Sequence, residues 1–155
     1  MPKTGIYQFN EQSLNFRTAG QRQFSGALTY RSGDFFNGER LNLSGRLTWN
    51  QSRYLILSAS YDWNDIQLPQ GSFTTRLNSI NSQVAFSPTL YWITLAQYDN
   101  ISEEIGINTR LQWIPKAGQE GFIVLNYGLE DRDRNNSFQT ASSDLSLKFR
   151  YTFRF

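Results

Sequence analysis

Apolar and polar residues alternate along four segments of the chain. The clearest is Asp144–Phe155, where all six odd positions are apolar and no even position is. The same period of two covers Arg40–Trp49, Leu55–Asn64 and Glu104–Trp113. Successive side chains of a β-strand point to opposite faces of its sheet, so this alternation predicts strands with one apolar and one polar face. Each would run for about 10–12 residues, longer than the mean of about 5–6 in globular proteins.

Four further strands are predicted from less regular segments, namely Arg22–Ser32, Phe73–Phe86, Leu90–Tyr98 and Gly121–Leu129. The alternation of Phe73–Phe86 changes face near Ser79, which indicates a β-bulge. Leu90–Tyr98 is apolar on both faces, so its orientation stays open. Residues 1–20 fit either a loose extension or a weak ninth strand. The chain therefore divides into an N-terminal segment, 1–20, and a β-domain, 21–155.

The polar face indicates the environment of this sheet. It is rich in Asn, Ser, Thr and Arg and poor in Lys and Glu, unlike the outside of a soluble protein. Aromatic residues reach 15% although the mean hydropathy is only −0.53. A tilted β-strand of about 9–11 residues crosses a bilayer, and closure of the sheet into a barrel pairs every backbone N–H and C=O group. We therefore predict an all-β, antiparallel transmembrane barrel of the outer-membrane type, with eight strands, or nine if the N-terminal segment contributes one.

Rings near the strand ends are typical of the two membrane interfaces, where amphipathic aromatics partition. The predicted aromatic girdles comprise Trp49, Trp63, Trp92, Trp113, Tyr30, Tyr98 and Tyr127. Short turns on one rim and longer connections at Gly33–Gly38, Leu68–Ser72 and Glu130–Ser142 on the other are also expected of such a barrel. The alternative is a soluble β-sandwich or lipocalin-like barrel whose aromatic side chains pack inside and bind a ligand.

The composition excludes several kinds of chemistry. The chain has no His and no Cys, so it lacks Ser-His-Asp and Cys-His catalysis, disulfides and the usual zinc ligands. A net charge of +2 argues against a nucleic-acid partner. The acid pair Asp62 and Asp65 and the Asp131–Asn136 segment are interpreted as solvated groups and a flexible loop. We expect no enzyme activity, cofactor or metal.

The polar face should fill the interior of an eight-stranded barrel, which side chains just occupy. The residues predicted for this lumen network are Arg40, Arg46, Asp62, Glu104, Arg110, Asp144, Lys148, Arg150 and Arg154. Charges away from water need partners, so a hydrogen-bonded plug of arginine, acid and amide is expected. The predicted function is a membrane-embedded scaffold without catalysis. A larger or oligomeric pore is the alternative, which leaves self-association open.

The last strand resembles the C-terminal signal that the barrel-assembly machinery of bacteria reads on outer-membrane proteins. The signal would consist of Phe149, Tyr151, Phe153 and Phe155. The resemblance implies the bacterial outer membrane as location, with lipid bilayer and assembly machinery as partners. The first residues, Met1–Gly5, contain no apolar segment typical of a signal peptide, so we expect a mature or trimmed chain.

The chain also resembles a specific family in five stretches, namely Gly33–Arg40, Asn64–Arg76, Ala85–Pro88, Gln97–Asn100 and Arg110–Pro115. These are similar to the C-terminal barrel of large bacterial proteins whose N-terminal domain is similar to a family-nine carbohydrate-binding module. The similarity runs from about Leu14 to Phe155 and implies an outer-membrane location. It also implies that the chain corresponds to the last strands of a larger barrel. Sugar recognition is not implied, because no such N-terminal domain occurs in this sequence.

Removing the aromatic end of the last strand should impair assembly more than folding. We expect deletion of Phe155, or Ser at both Tyr151 and Phe153, to lower insertion in cells while refolding in detergent changes less. Membrane fractionation and refolding yield measure the two effects. An equal loss in both assays would show that these rings only stabilise the barrel wall.

Overall fold

The structure is a computed structural model that describes residues 10–135 and 137–152. Nine strands follow one another in it: β1 Glu11–Arg17, β2 Phe24–Phe35, β3 Gly38–Asn50, β4 Leu55–Leu68, β5 Gly71–Ser87, β6 Leu90–Asp99, β7 Glu104–Lys116, β8 Gln119–Glu130 and β9 Gln139–Tyr151. Among the described residues, no helix is long and apolar enough to cross a membrane.

The strands form one antiparallel sheet in which each strand pairs with its neighbours in sequence. The prediction of an all-β antiparallel fold is therefore confirmed. All eight predicted segments are strands, most of them one to four residues longer than the alternation showed. The ninth strand comes from the N-terminal segment, where Glu11–Arg17 pairs with Ala27–Gly33 of β2.

Cross-strand register separates the two faces of the sheet. One row of partners runs Phe16, Leu28, Gly45 and Tyr61, and the next runs Asn15, Thr29, Ser44 and Asp62. We call the side of the first row the apolar face and the side of the second row the polar face. Because registered partners share a face, hydrophobic side chains of separate strands merge into one continuous surface.

The fifth strand differs from the sequence prediction. The pairing of β4 with β5 is continuous from Leu55 opposite Val84 to Leu68 opposite Gly71, so the bulge predicted near Ser79 is absent. The irregularity lies instead between Ala85 and Ser87, opposite β6. The alternation of apolar and polar residues breaks because polar residues occupy positions on the apolar face, whereas the backbone register of β5 with β4 does not shift. As a result, the polar residues Asn78 and Ser82 lie on the apolar face and Leu77 lies on the polar face.

Register also fixes the orientation of β6, which its sequence left open. Trp92 lies opposite Leu111 and Tyr98 lies opposite Ile105, so both rings are on the apolar face. The intervening Ile93 and Leu95 lie on the polar face, opposite Arg110 and Asn108.

The sequence predicts short turns on one rim of the sheet and longer connections on the other, and this prediction is wrong. The predicted loops Gly33–Gly38 and Leu68–Ser72 are mostly strand, because pairing continues to the two-residue turns 36–37 and 69–70. The connections on the rim of the β7–β8 turn are 18–23, 51–54, 88–89 and 117–118. Those on the rim of the β8–β9 loop are 36–37, 69–70, 100–103 and 131–138. Each rim thus carries two-residue turns as well as longer connections.

The described sheet is a single open layer without a hydrophobic core. Of the described residues, only Ile66, Gly128 and Asp131 are buried. The chain exposes 12008 Å², against about 8,000 Å² expected for a folded monomer of this mass. Strand β2, first of the eight predicted, pairs with β1 and not with β9. Within residues 10–135 and 137–152, β1 and β9 are therefore free edges, and the barrel is not closed.

Gly38 should be required at the β2–β3 hairpin, because a Cβ at this position would overlap the backbone carbonyl of Gln67 in β4. We expect Gly38→Ala to lower the free energy of unfolding by about 1–3 kcal/mol, the usual cost of overpacking. Gly106→Ala is the matched control, since its Cβ would meet nothing within 4 Å. Urea titration of the refolded protein in detergent measures both, and an equal effect would contradict the close strand approach.

Candidate functional site

The apolar face is strongly exposed. Leu47 is 71% exposed, Phe16 66% and Leu147 74%, although all three lie within strands. Soluble monomers rarely expose a continuous apolar patch of more than a few hundred Å². This surface crosses every strand of the sheet, so it is stable only against an apolar environment or another apolar surface.

Aromatic rings border this surface at both rims. All seven predicted girdle residues lie on the apolar face: Trp49, Trp92 and Trp113 toward the β7–β8 rim, and Tyr30, Trp63, Tyr98 and Tyr127 toward the β8–β9 rim. On β6 the two rows are six residues apart, about 20 Å along the strand. Between the rows lie mostly aliphatic side chains, including Leu28, Leu47, Ile80, Leu125 and Leu145.

Ring contacts hold the row at the β7–β8 rim together. Phe24 stacks on Trp49 with ring centroids 5.8 Å apart, and Phe86 stacks on Trp92 at 6.3 Å. The Trp92 indole Nε1 donates a hydrogen bond to Thr109 Oγ1 at 2.6 Å. Offset stacks of this kind add about 0.5–1.5 kcal/mol beyond area burial, so the row is an ordered border of the apolar face.

The predicted C-terminal signal is partly described. Phe149 and Tyr151 lie on the apolar face of β9, 68% and 49% exposed, while Phe153 and Phe155 lie outside the described residues. The rings of Phe149 and Trp113 flank Gly121, where a Cβ would meet each ring at 3.6 Å, an ordinary contact.

Grooves run along the polar face, which is therefore the concave side of the sheet. One groove of about 380 Å³ extends from β2 to β6, with Thr29, Arg46 and Asp62 in its wall. A second of about 250 Å³ extends from β6 to β9 and includes Glu104 and Asn108. Gln97 lines both grooves, so the two adjoin and form one polar concavity across the sheet.

Amide side chains supply the hydrogen bonds of this concavity. Asn42 Nδ2 donates to Asn64 Oδ1 at 2.9 Å, and Asn64 Nδ2 donates to Asp62 Oδ1 at 2.7 Å and to Thr75 Oγ1 at 3.1 Å. The Asp62 carboxylate also accepts from Asn42 at 3.3 Å. This four-residue cluster links three strands on the polar face.

A second chain of hydrogen bonds crosses the other end of the sheet. Asn108 donates to Asn126, Asn126 donates to Asp144 at 3.5 Å, and Ser146 donates to the same carboxylate at 3.1 Å. Two of the three predicted lumen acids, Asp62 and Asp144, are thus bound by neutral donors. The sequence predicts a network of arginine, acid and amide, and at these two acids amides supply the bonds because their short side chains reach across adjacent strands.

The lumen cations occupy the polar face but lie apart from these clusters. Arg40 pairs with Glu11 of β1 at 3.1 Å and lies over the Phe35 ring at 5.1 Å. Glu11 was not predicted as a site residue, since the N-terminal segment carried too little alternation to place it on either face. Arg110 Nε is buried without a hydrogen-bond partner in the described structure.

The remaining predicted lumen residues differ in their surroundings. Arg46 lines the β2–β6 groove and Glu104 the β6–β9 groove. Lys148 and Arg150 lie exposed on the free edge strand β9, where no further strand covers them. Arg154 lies outside the described residues.

The β8–β9 connection contacts the β6–β7 turn. Asp131 is only 4% exposed, and its backbone N–H donates to the Glu103 carbonyl at 3.0 Å. Arg134 pairs with Glu103 at 3.3 Å, and Phe138 meets Tyr98 edge-to-face at 6.4 Å. Residues 132–135 are exposed, and the flexible loop at Asp131–Asn136 stays a prediction.

The acid pair Asp62 and Asp65 does not form a site. Residues three apart in a strand point to opposite faces, and Asp65 accepts instead from Thr74 Oγ1 at 3.1 Å and Gln67 Nε2 at 3.2 Å. Among the described residues, no three metal-ligating side chains converge.

Comparisons with known proteins give a single structural likeness. No family model matches the chain, and no curated protein matches it in sequence. A solved structure described as the KdgM porin in complex with disordered oligogalacturonate superposes with a TM-score of 0.48 and 11% identity, covering 94% of this chain and 76% of that one. The function of this chain is therefore inferred from its own faces and edges.

The Asp62 cluster should stabilise the polar face. We expect Asp62→Ala to cost about 1–3 kcal/mol, because the amides of Asn42 and Asn64 lose an acceptor in a partly enclosed groove. Asp133→Ala, in the exposed turn after β8, should change stability by less than about 0.5 kcal/mol. Urea titration in detergent compares the two variants, and equal losses would mean that the cluster is solvated like the turn.

Proposed function

We propose that the chain forms the wall of an outer-membrane β-barrel and acts as a membrane-embedded scaffold without catalysis. The exposed apolar face carries the proposal, since it crosses every strand and is bordered by two rows of rings. Such a face contacts hydrocarbon, while Trp and Tyr sit at the headgroup level. The polar face would then line the lumen.

The geometry distinguishes this proposal from a soluble ligand-binding barrel. A soluble barrel turns its apolar face inward, toward the concave side. Here the grooves lie on the polar side, and they are walled by groups such as Thr29, Arg46, Asp62 and Glu104. Apolar area left in water costs about 25 cal/mol per Å², so the exposed face would oppose folding of this sheet in water.

The remaining parts of the proposal come from sequence features. The alternating aromatic end of the last strand supports recognition by the barrel-assembly machinery and a location in the bacterial outer membrane. The similarity to the C-terminal barrel of proteins with a carbohydrate-binding-module-like domain supports a place among the last strands of a larger barrel. No sugar ligand is proposed for this chain.

A second candidate is a pore with more strands than these nine, and a specific observation favours it. Among the strands that the structure describes, both β1 and β9 are free edges, and the polar concavity between them is open. Additional strands would widen this concavity into a lumen, since barrel diameter grows with strand number.

Adjacent residues of β5 test the membrane assignment. Ile80 lies on the apolar face between the two rows of rings, opposite Ala59 and Ala96, and Ser79 lies on the polar face. We expect Ile80→Arg to cost about 2–4 kcal/mol in lipid vesicles, the range for arginine at the bilayer midplane. Ser79→Arg should cost less, because its side chain enters the polar groove. Urea titration of folding into vesicles measures both.

The same pair distinguishes the soluble alternative. If the apolar face met water, Ile80→Arg would leave stability unchanged or raise it, and the protein would fold without detergent or lipid. That result would overturn the membrane proposal.

A further inference from the structure

The two free edges of the sheet run in the same direction. Strands of an antiparallel meander alternate in direction, and the described sheet has nine of them. Both β1 and β9 therefore start at the β8–β9 rim and end at the β7–β8 rim. Direct contact between these edges would be a parallel pair, which has slanted and slightly weaker hydrogen bonds.

A second copy of the chain does not change this parity. Copies inserted in the same orientation present edges that all run the same way, so every pairing of β1 or β9 with a second copy is again parallel. An antiparallel barrel can close only if an odd number of further strands lies between β9 and β1. Single-chain barrels of bacterial outer membranes have an even number of antiparallel strands.

Free edges are costly inside a bilayer. On an edge strand about every second residue directs its N–H and C=O away from the sheet. Strand β9 has 13 residues and β1 has 7, so both edges present several such groups. Each unpaired group in hydrocarbon costs several kcal/mol, so both edges are covered when the sheet is in the membrane.

Charge on the polar face indicates what covers them. Arg17 is the last residue of β1, and Lys148 and Arg150 lie near the C-terminal end of β9. All three residues are therefore close to the β7–β8 rim. Within the described residues, none of the three forms a salt bridge. Lys148 lies opposite Phe122, and only Arg150 faces an acid, Glu120, across the strands. Contact between β1 and β9, within or between copies, would bring these like charges together.

We propose that a partner segment supplies an odd number of antiparallel transmembrane strands between β9 and β1. Its strands carry apolar residues on the side continuous with Leu145, Leu147 and Phe149. On the polar side they carry carboxylates that meet Arg17, Lys148 and Arg150. The inference deepens the pore candidate and rests on the proposed membrane location.

Fused strands test this parity directly. A copy of Gln119–Glu130, joined to Phe155 by a Gly-Ser linker, adds one strand that runs antiparallel to β9 and carries Glu120 on its polar side. A control fusion adds a copy of Gln119–Tyr151, which contributes two strands. We expect the one-strand fusion to refold in detergent into an SDS-resistant, heat-modifiable band that conducts in planar bilayers. The two-strand fusion and the unextended chain should lack that band.

Disulfide trapping tests the competing closures, and the absence of native cysteine makes it unambiguous. The unextended chain with Ser13→Cys and Ser146→Cys has one thiol on each edge strand. We expect oxidation to link neither the two edges of one chain nor two copies. A bond within one chain would mean parallel self-closure, and a bond between chains would mean that a second copy covers the edge; either result overturns the proposal.

The fusion outcomes are equally decisive. If the one-strand and two-strand fusions behave alike, both closed or both open, parity does not control closure and the proposal fails. In the one-strand fusion, Gln in place of the added copy of Glu120 should reduce the closed band, whereas Gln in place of the added copy of Asn126 should not. Failure here leaves the Ile80 and Ser79 comparison unaffected, so it is distinguishable from failure of the membrane assignment.

Discussion

Backbone hydrogen bonding between neighbouring strands is the interaction on which the rest of this structure depends. The described residues form one layer with almost no buried side chain, so packing of a core does not hold the strands in place. Pairing along eight strand interfaces does so instead. That pairing sets the register, and the register decides which side chains share a face. A single layer of this kind is stable only where its surroundings match both faces.

The two faces make different demands on those surroundings. The apolar face excludes water over the whole sheet, and its rings stack in pairs where the hydrocarbon would end, as Phe24 and Trp49 do. The polar face satisfies its groups locally, through short amides that bridge adjacent strands near Asp62 and Asp144. The long arginine and lysine side chains lie at the sheet edges and in the grooves. This separation of apolar and polar groups onto two faces explains how the sheet can carry charge at membrane depth without a catalytic or metal site among the described residues.

The free edges connect this local order to function. A closed barrel has no edge, and lipid does not replace a missing strand because it offers no hydrogen bonds. Nine strands leave both edges running the same way, with cations near the same rim. The direction and charge of β1 and β9 are the observations that support our proposal of partner strands completing the wall.

The sequence by itself determined the fold class, eight of the strands and the faces of most of them, because a period of two is a direct consequence of strand geometry. It also placed five of the seven girdle rings on the apolar face, whereas those of Trp92 and Tyr98 lie on β6. Only the tertiary structure decided the orientation of β6 and the faces of Asn78 and Leu77, since these depend on cross-strand register and not on their own pattern. Tertiary structure likewise decided the open edges, the salt bridge between Arg134 and Glu103 and the salt bridge between Arg40 and Glu11. Each joins residues that are distant in sequence, and no local periodicity encodes such contacts.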